Sequence, residues 1–541
     1  MAREPTVYRQ PLTPEDEIEL APPPTSGDSS NDVPEKDYRD FVIPEDRKLG
    51  VVSTTLLIVN RVVGTGIFST PSFIIANTDS VGASLIFWVL GGVLTVAGMF
   101  VYLEFGTALP RSGGEKVYLE RVYRRPRYLA TSVFAVQFIL FAVSTGNSVS
   151  FSSYLLKAIN PDFNSLDASW TGRAVAAAAI TVVCLIHSFI PKTGIWLSNG
   201  LGAFKIVLLL LVVCTGFATL AGSTQADAMA NFQSFDGEGS APSGTPLAVT
   251  RAARYALALN QVMYSYSGWE NANYVLTEVR NAPRTLKIAA PLAVTTVTIL
   301  YFLANVSYFA AMSKTEIADS GVTVAAKFFE NAWGKGSFAT RVMPLFVAIS
   351  ALGNVFAQSF AMPRVKQELA KEGFLPFSKF WASDWPFSAP TGAIFLHWIF
   401  TVAFILGSNA SNTYAFVTAV FIYTGIWIKV LLGIGLLYLT FAPQENWKQQ
   451  RTSFRSSPAL TVFWIVSLLY VIGAPFIPNK MLDPIPWYTV PVLGTSMIAV
   501  GIIYWGLWAK LAPMFGFHIM HEVEVLPDGS ERDEMEERLV E

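Results

Sequence analysis

The chain has 541 residues, 52% of them hydrophobic and only 14% charged, where soluble domains carry about 25% charge. Residues 1–50 hold 12 acids and 6 bases and residues 521–541 hold 9 acids and 2 bases, leaving 19 acids and 30 bases for the 470 residues between. So sparse a charge excludes a soluble fold, the net charge of −2 leaves no footprint for nucleic acid, and two cysteines exclude a disulfide framework. The first 45 residues, with a PPP run and a DSSND cluster, are too polar to fold alone and are expected to be a disordered acidic tail. Residues 46–512 then read as one membrane domain, and 513–541 as a second acidic tail.

A crossing needs about 20 apolar residues. By that measure spans fall near 51–75, 82–108, 128–156, 171–190, 195–219, 251–279, 285–311, 341–368, 391–407, 412–441, 457–476 and 488–510. Twelve spans put both tails on one side, and the basic residues choose it. Arg111, Lys116, Arg121, Arg124, Arg125, Arg127, Arg280, Arg284, Lys287, Arg364 and Lys371 fall in loops on the tail side. The opposite loops are poorer in bases, so the tails are expected in the cytoplasm. The stretch SGGEKVYLERVYRRP reads either as an interfacial helix or as a charged loop, and GVTVAAKFFENAW as a short helix over the outer face.

Span one contains RVVGTGIFSTPS and span six YSYSGWENAN. Gly64, Gly66 and Pro71 in the first, and Ser267 and Gly268 in the second, weaken the helix at comparable depth. Both spans open a group of five, the arrangement of inverted-repeat transporters whose ligand site lies between two discontinuous helices. Unwound backbone must line protein or a cavity. Amides near Gly66 and Ile67 can receive a carboxylate at a positive helix end. Carbonyls of Val62, Val63, Tyr264 and Ser267 can accept from an ammonium, and Thr65 and Ser265 add hydroxyls. A small zwitterion fits this set, although GTG alone also suits close helix packing.

Three charges inside spans bear on coupling. Lys205 lies about ten residues into span five, too deep for easy escape to the surface. Glu270 follows the span-six break, and Glu104 lies in LEFGTALP. Either acid can serve as a proton carrier, Glu104 equally as a group near the inner surface and Glu270 equally as half of an ion pair. Asn354 and Gln358, four residues apart in span eight, share a face that can support the site or merely bond between helices.

VVGTGIFSTPS, YSGWENANYVLTEVRNAPRTL, LEFGTALPRSGGEKVYL and KEGFLP together resemble the amino acid–polyamine–organocation superfamily, in particular the L-type amino acid transporters and the fungal high-affinity methionine permeases. The likeness covers about residues 45–510. It implies an all-α polytopic membrane protein with a five-plus-five inverted repeat of the LeuT-like kind, discontinuous helices 1 and 6, and spans eleven and twelve outside that core. It implies carboxylate contacts at Thr65, Gly66 and Ile67, an aromatic gate at Tyr264, and a cation at Lys205 where sodium-coupled relatives hold sodium. The animal relatives often have asparagine where this chain has Glu270.

The resulting expectation is proton-coupled plasma-membrane uptake of L-methionine by alternating access, with no enzymatic activity, cofactor or metal. The alternatives are a broader neutral amino acid or cysteine transporter or exchanger, and an amino acid sensor. Besides substrate, protons and membrane lipids, the tails offer Lys36 and Lys48 to a ubiquitin-ligase adaptor. The loop near 157–170 has no cysteine, so the disulfide-linked heavy subunit of animal relatives is not expected.

Overall fold

The computed structural model describes residues 6–11, 48–161, 170–222, 231–232, 247–385, 389–407, 411–450, 454–476, 486, 488–511, 517–525 and 531–539. Most of the 157–170 loop, the tail lysine Lys36 and most of residues 220–250 lie outside them.

Span one is two helices, α1 (Val51–Val62) and α2 (Gly66–Thr78), bent by 44° across Val63–Thr65. Then come α3 (Val81–Ala108) and the short α4 (Glu115–Val122). The third expected span is α5 (Leu129–Phe141) followed by α6 (Thr145–Ile159). Next are α7 (Trp170–Phe189), α8 (Pro191–Leu220) and α9 (Leu247–Tyr266). After α9 the chain turns through Gly268 into a 3₁₀ helix over Trp269–Glu278, leading to α10 (Ala282–Ala311). Two short helices, α11 (Lys314–Asp319) and α12 (Val324–Trp333), precede α13 (Met343–Lys371) and α14 (Ser378–Ala382). The remainder is α15 (Thr391–Gly407), α16 (Ser411–Phe441), α17 (Trp447–Gln450), α18 (Pro458–Gly473) and α19 (Thr489–Gly506).

Among the described residues eight helices are long and apolar enough to cross a membrane, nine when α1 and α2 count as one bent span. The shorter α15 and α18 are apolar as well. Several helices are apolar on the outside. Ile86, Val89 and Val93 of α3 and Ile288, Leu292 and Ile299 of α10 are exposed large hydrophobics at helical spacing. Water would penalise such stripes, whereas lipid tails cover them.

The polar residues point inward. α1 packs on α8, α10 and α13, and α2 packs on α9 and α3, so the broken helices stand amid the bundle. α18 and α19 pack against α16 and keep apolar faces outward, Val466 and Ile503 among them. The segment GVTVAAKFFENAW does form a helix, α12, which packs over α2 and α10. The SGGEKVYL segment also forms one, α4, but Glu115, Lys116, Tyr118 and Leu119 are buried in protein rather than laid on an interface.

Three strands lie at the ends of the chain, outside the helical bundle. Thr6–Pro11 pairs antiparallel with Phe517–Val525, which pairs antiparallel with Glu531–Leu539. The first of these strands lies within residues 1–45 and the other two within residues 513–541. The middle strand, FHIMHEVEV, partly alternates in polarity as a strand does. The register sets Arg9 opposite Glu522 and Arg532 opposite Glu524, favourable cross-strand charge pairs.

Candidate functional site

The two breaks meet. Gly66, the first residue of α2, lies so close to the span-six backbone that an added Cβ would come 2.9 Å from Ser265 Cα. Across the same junction Thr70 and Ser265 hydroxyls lie 2.7 Å apart. The Tyr301 hydroxyl of α10 donates to both Val62 O (3.0 Å) and Ser265 O (3.1 Å), tying the loosened ends of α1 and α9 to one phenol. Gly268 has φ +108°, a conformation that side chains rarely adopt, and the Arg61 stem lies against it. Pro71 sits inside α2, where it removes one helical donor.

A cavity of about 150 Å³ opens beside this junction, roughly ten times what a single water requires. Val62, Gly64, Thr65, Gly66, Tyr264, Ser265, Ser267 and Gly268 line it as expected from sequence. Val63 and Ile67 do not; their side chains are fully buried in the core. Some expected donors and acceptors already have protein partners. The Ser265 hydroxyl donates to Gln261 O (3.0 Å) and the Ser267 hydroxyl to Met263 O (3.0 Å), so neither is simply aimed at the cavity. The first amides of α2 have no acceptors within their own helix, and this end of α2 is part of the cavity wall.

Of the residues expected to couple or gate, Glu270, Asn354 and Gln358 line the cavity and Lys205 and Glu104 do not. Lys205 is fully buried, and its Nζ donates to the Asn60 carbonyl at 2.5 Å. It thus holds α1 two residues before its last turn ends. Glu270 Oε1 receives Lys429 Nζ at 3.1 Å, and its Oε2 accepts from the Gly268 amide at 3.1 Å. Glu104 is buried near α17 and α18, where Trp447 Nε1 (2.9 Å) and the Ser456 amide (2.7 Å) donate to its two oxygens. That arrangement suits a structural strut joining α3 to the segment before α18. Asn354 Oδ1 accepts from Arg61 at 3.3 Å, which connects span eight to span one.

Sequence reasoning missed four contributors. Lys429 interrupts the apolar run GIWIKVLL of α16, the same signal that singled out Lys205. Arg61 stands one residue before α1 ends. Glu115 enters from α4, hidden among the bases of a loop. The α5–α6 interruption brings Thr145, Gly146 and Asn147 to the wall, and STGNS within an apolar run was its legible mark. The rest of the lining is largely apolar, including Phe134, Phe138, Met263, Met362, Phe421 and Trp269. Two cations and two acids, Arg61, Lys429, Glu115 and Glu270, balance formally to zero within that wall.

Two ion pairs cross-link the bundle outside the cavity lining. Arg364 of α13 pairs with Glu278, and Lys116 of α4 pairs with Glu372 just past α13. Leu49, ahead of α1, exchanges backbone hydrogen bonds with Glu278 and Arg280 at 2.7 and 2.9 Å. His187 and His397 belong to helix packing, with His187 Nε2 3.1 Å from Phe356 O and His397 Nε2 2.9 Å from Ser144 Oγ.

A family model of amino acid permeases matches residues 49–508. The chain belongs to the amino acid permease family. It is 33% identical to the high-affinity methionine permease of Saccharomyces cerevisiae over 489 residues, covering 89% of this chain and 82% of the relative. It is 30% identical to the low-affinity methionine permease of the same yeast, over 90% of this chain and 87% of that one. The human b(0,+)-type amino acid transporter 1 is 27% identical, over 89% and 93% respectively. The permease is therefore a multi-pass membrane transporter of amino acids, and its relatives are carriers rather than enzymes.

Proposed function

We propose that this permease takes up L-methionine at the plasma membrane together with a proton, by alternating access around the cavity between the two broken helices. The observation that carries the proposal is the junction itself. A helix N-terminus at Gly66 and the opened end of α9 converge on one small, mostly apolar chamber. The substrate carboxylate rests at the amides of Thr65, Gly66 and Ile67, where the helix dipole favours an anion. Its ammonium faces carbonyls on the α1 and α9 sides of the break. Tyr264 lies over the bound molecule and closes the chamber. A thioether is flexible and polarisable and makes favourable contacts with ring edges, which the Phe134, Phe138 and Trp269 wall supports. The names of the two yeast relatives support methionine over other neutral side chains.

In this reading the chain crosses the membrane twelve times in a five-plus-five repeat, α15 and α18 included, and both tails lie in the cytoplasm. The Arg364–Glu278 and Lys116–Glu372 pairs then form a closed inner gate, flanked by loops whose bases favour the cytoplasmic face. Lys205 acts as a tethered cation holding the α1 carbonyl end, which supports sodium-independent transport. Lys48 and Lys36 offer the tail to ubiquitin ligation. The test is uptake of labelled methionine into proteoliposomes under separately imposed proton and sodium gradients. Acid outside should raise accumulation by about tenfold, the size of effect one pH unit can deliver, and sodium should change nothing. Uptake indifferent to the proton gradient would remove proton coupling, and stronger competition by leucine than by methionine would remove the substrate assignment.

A further inference from the structure

Three of the four acidic or basic side chains in the cavity wall have polar partners that suit their charge. Glu270 has Lys429 and the Gly268 amide, while Arg61 donates to Asn354. Glu115 differs. Its Oε1 accepts from the hydroxyls of Tyr102 (2.9 Å) and Tyr274 (3.2 Å). Its Oε2 is buried and has no hydrogen-bond partner among the described residues. No cation stands within ion-pair distance of it among those residues, and the side chain belongs to a residue only 4% exposed.

A charged carboxylate held by two neutral phenols, with one oxygen bare, is expensive in a low-dielectric wall; the neutral acid is far cheaper there. The groups around it sharpen that choice. From α3 comes Tyr102, and from the 3₁₀ segment come Tyr274 and the like-charged Glu270. α16 offers Lys429, whose charge opposes the rise from its place on Glu270, and α1 offers Arg61, which acts on Glu270. α5 presents Phe134, Gln137 and Phe138, with no charge. On α4 itself Lys116 is engaged by Glu120 and by Glu372. Burial first, and the Glu270 charge second, push the Glu115 carboxyl up to about 7.

We propose that Glu115 is the residue that carries the coupling proton. While the cavity faces outward, an O–H bond forms on Oε2 as an O–H bond of a hydronium ion from the external solution breaks, leaving water. The Oε2–H bond breaks, delivering that proton to cytoplasmic water, when α4 parts from α13. No electrons are exchanged and no further reactant is needed. Glu270 is unsuited, because Lys429 and an amide hold its charge in place, and Glu104 lies outside the cavity with fixed donors on both oxygens. The placement of Glu115 links proton to gate: its neighbour Lys116 forms the ion pair with Glu372, just past α13, that must open for release.

This inference rests on the proton-coupled reading, so the experiment separates the two. Full-length protein in liposomes is assayed for labelled methionine uptake with and without an acid-outside gradient, and for methionine counterflow between about pH 5 and about pH 8, a window that brackets the Glu115 transition. E115Q should lose the gradient stimulation by about tenfold or more and flatten the pH profile of counterflow, whereas E115D should restore a gradient response with a displaced midpoint. A gradient response and pH profile within about twofold of wild type in E115Q would overturn the assignment while leaving proton coupling intact. A wild type indifferent to the gradient would overturn both. Should E115Q show no methionine-dependent thermal stabilisation, Y102F answers instead. Losing a donor to the charged form should move the wild-type midpoint to higher pH, and an unmoved midpoint counts against Glu115.

Discussion

Glu270 and Lys429 face one another across the cavity wall with side chains only 10% and 17% exposed. Removing one partner strands the other, which typically costs about 3–5 kcal/mol, whereas replacing both with neutral groups costs far less. E270Q and K429M should therefore each lower the unfolding midpoint in detergent, and the double variant should recover part of the loss. Additive losses would mean the two are not coupled. Glu115 gives a pH signature of opposite origin. Its folded value of about 7 exceeds the ordinary 4.5, so between those values the folded state holds a proton that the unfolded state has released. Stability contributed by this residue is complete below that window, falls as pH rises through it, and is flat above pH 7. A thermal-stability profile of wild type against E115Q should show this slope only in wild type. Residues of this sort were unevenly legible in sequence. Lys205 and Glu270 stand out because charge in an apolar run is costly, and Lys429 carries the same mark. Glu115 sits in a basic loop, and only the fold turns it inward.

At the scale of elements, the first break was legible because glycines and a proline interrupt a single apolar run. The second was legible only as a place. Gly268 marks the turn, but the ten residues after it form 3₁₀ stretches kinked at Val275 rather than an α-helical half. No local signal announces that. Tertiary bonds hold the segment: Asn273 donates to Tyr102 O (3.1 Å) and lies 2.8 Å from the Tyr118 hydroxyl. The segment is itself kinked at Val275 (φ −130°, ψ 29°), so two short 3₁₀ stretches follow the Gly268 turn. G268A tests that element directly. An alanine at φ +108° is strained by about 1–3 kcal/mol, and its Cβ would fall 2.4 Å from Arg61 Cγ. The variant should fold less stably and lose most methionine uptake; near-normal transport would show that the turn is not part of the working mechanism. K205M belongs to the same scale. Without its ammonium the Asn60 carbonyl loses a buried donor, and uptake should fall by about tenfold or more, an effect of the size a charged hydrogen bond carries. Unaltered uptake would free Lys205 of any role.

For the whole molecule, apolar stripes outside and charged side chains around the chamber reverse the pattern of a soluble protein; composition foretold the membrane class but not the charges of the chamber. In the proposed mechanism the Arg364–Glu278 and Lys116–Glu372 pairs act as the inner gate. Neutralising both pairs with E278Q and E372Q should favour the inward-open form. In a background lacking Cys184 and Cys214, a cysteine at Ser112 should then react faster with a membrane-impermeant thiol reagent applied from the cytoplasmic side. The central claim, however, is that the junction of two broken helices is where an amino acid crosses. Its most direct test is labelled L-methionine uptake by wild type and G66A in the same proteoliposomes. An alanine there would press on Ser265 and part the two breaks. The account predicts saturable wild-type uptake displaced by unlabelled methionine and lost in G66A, with the variant still folded by its thermal transition. Saturable uptake of equal affinity and rate in both proteins would contradict it.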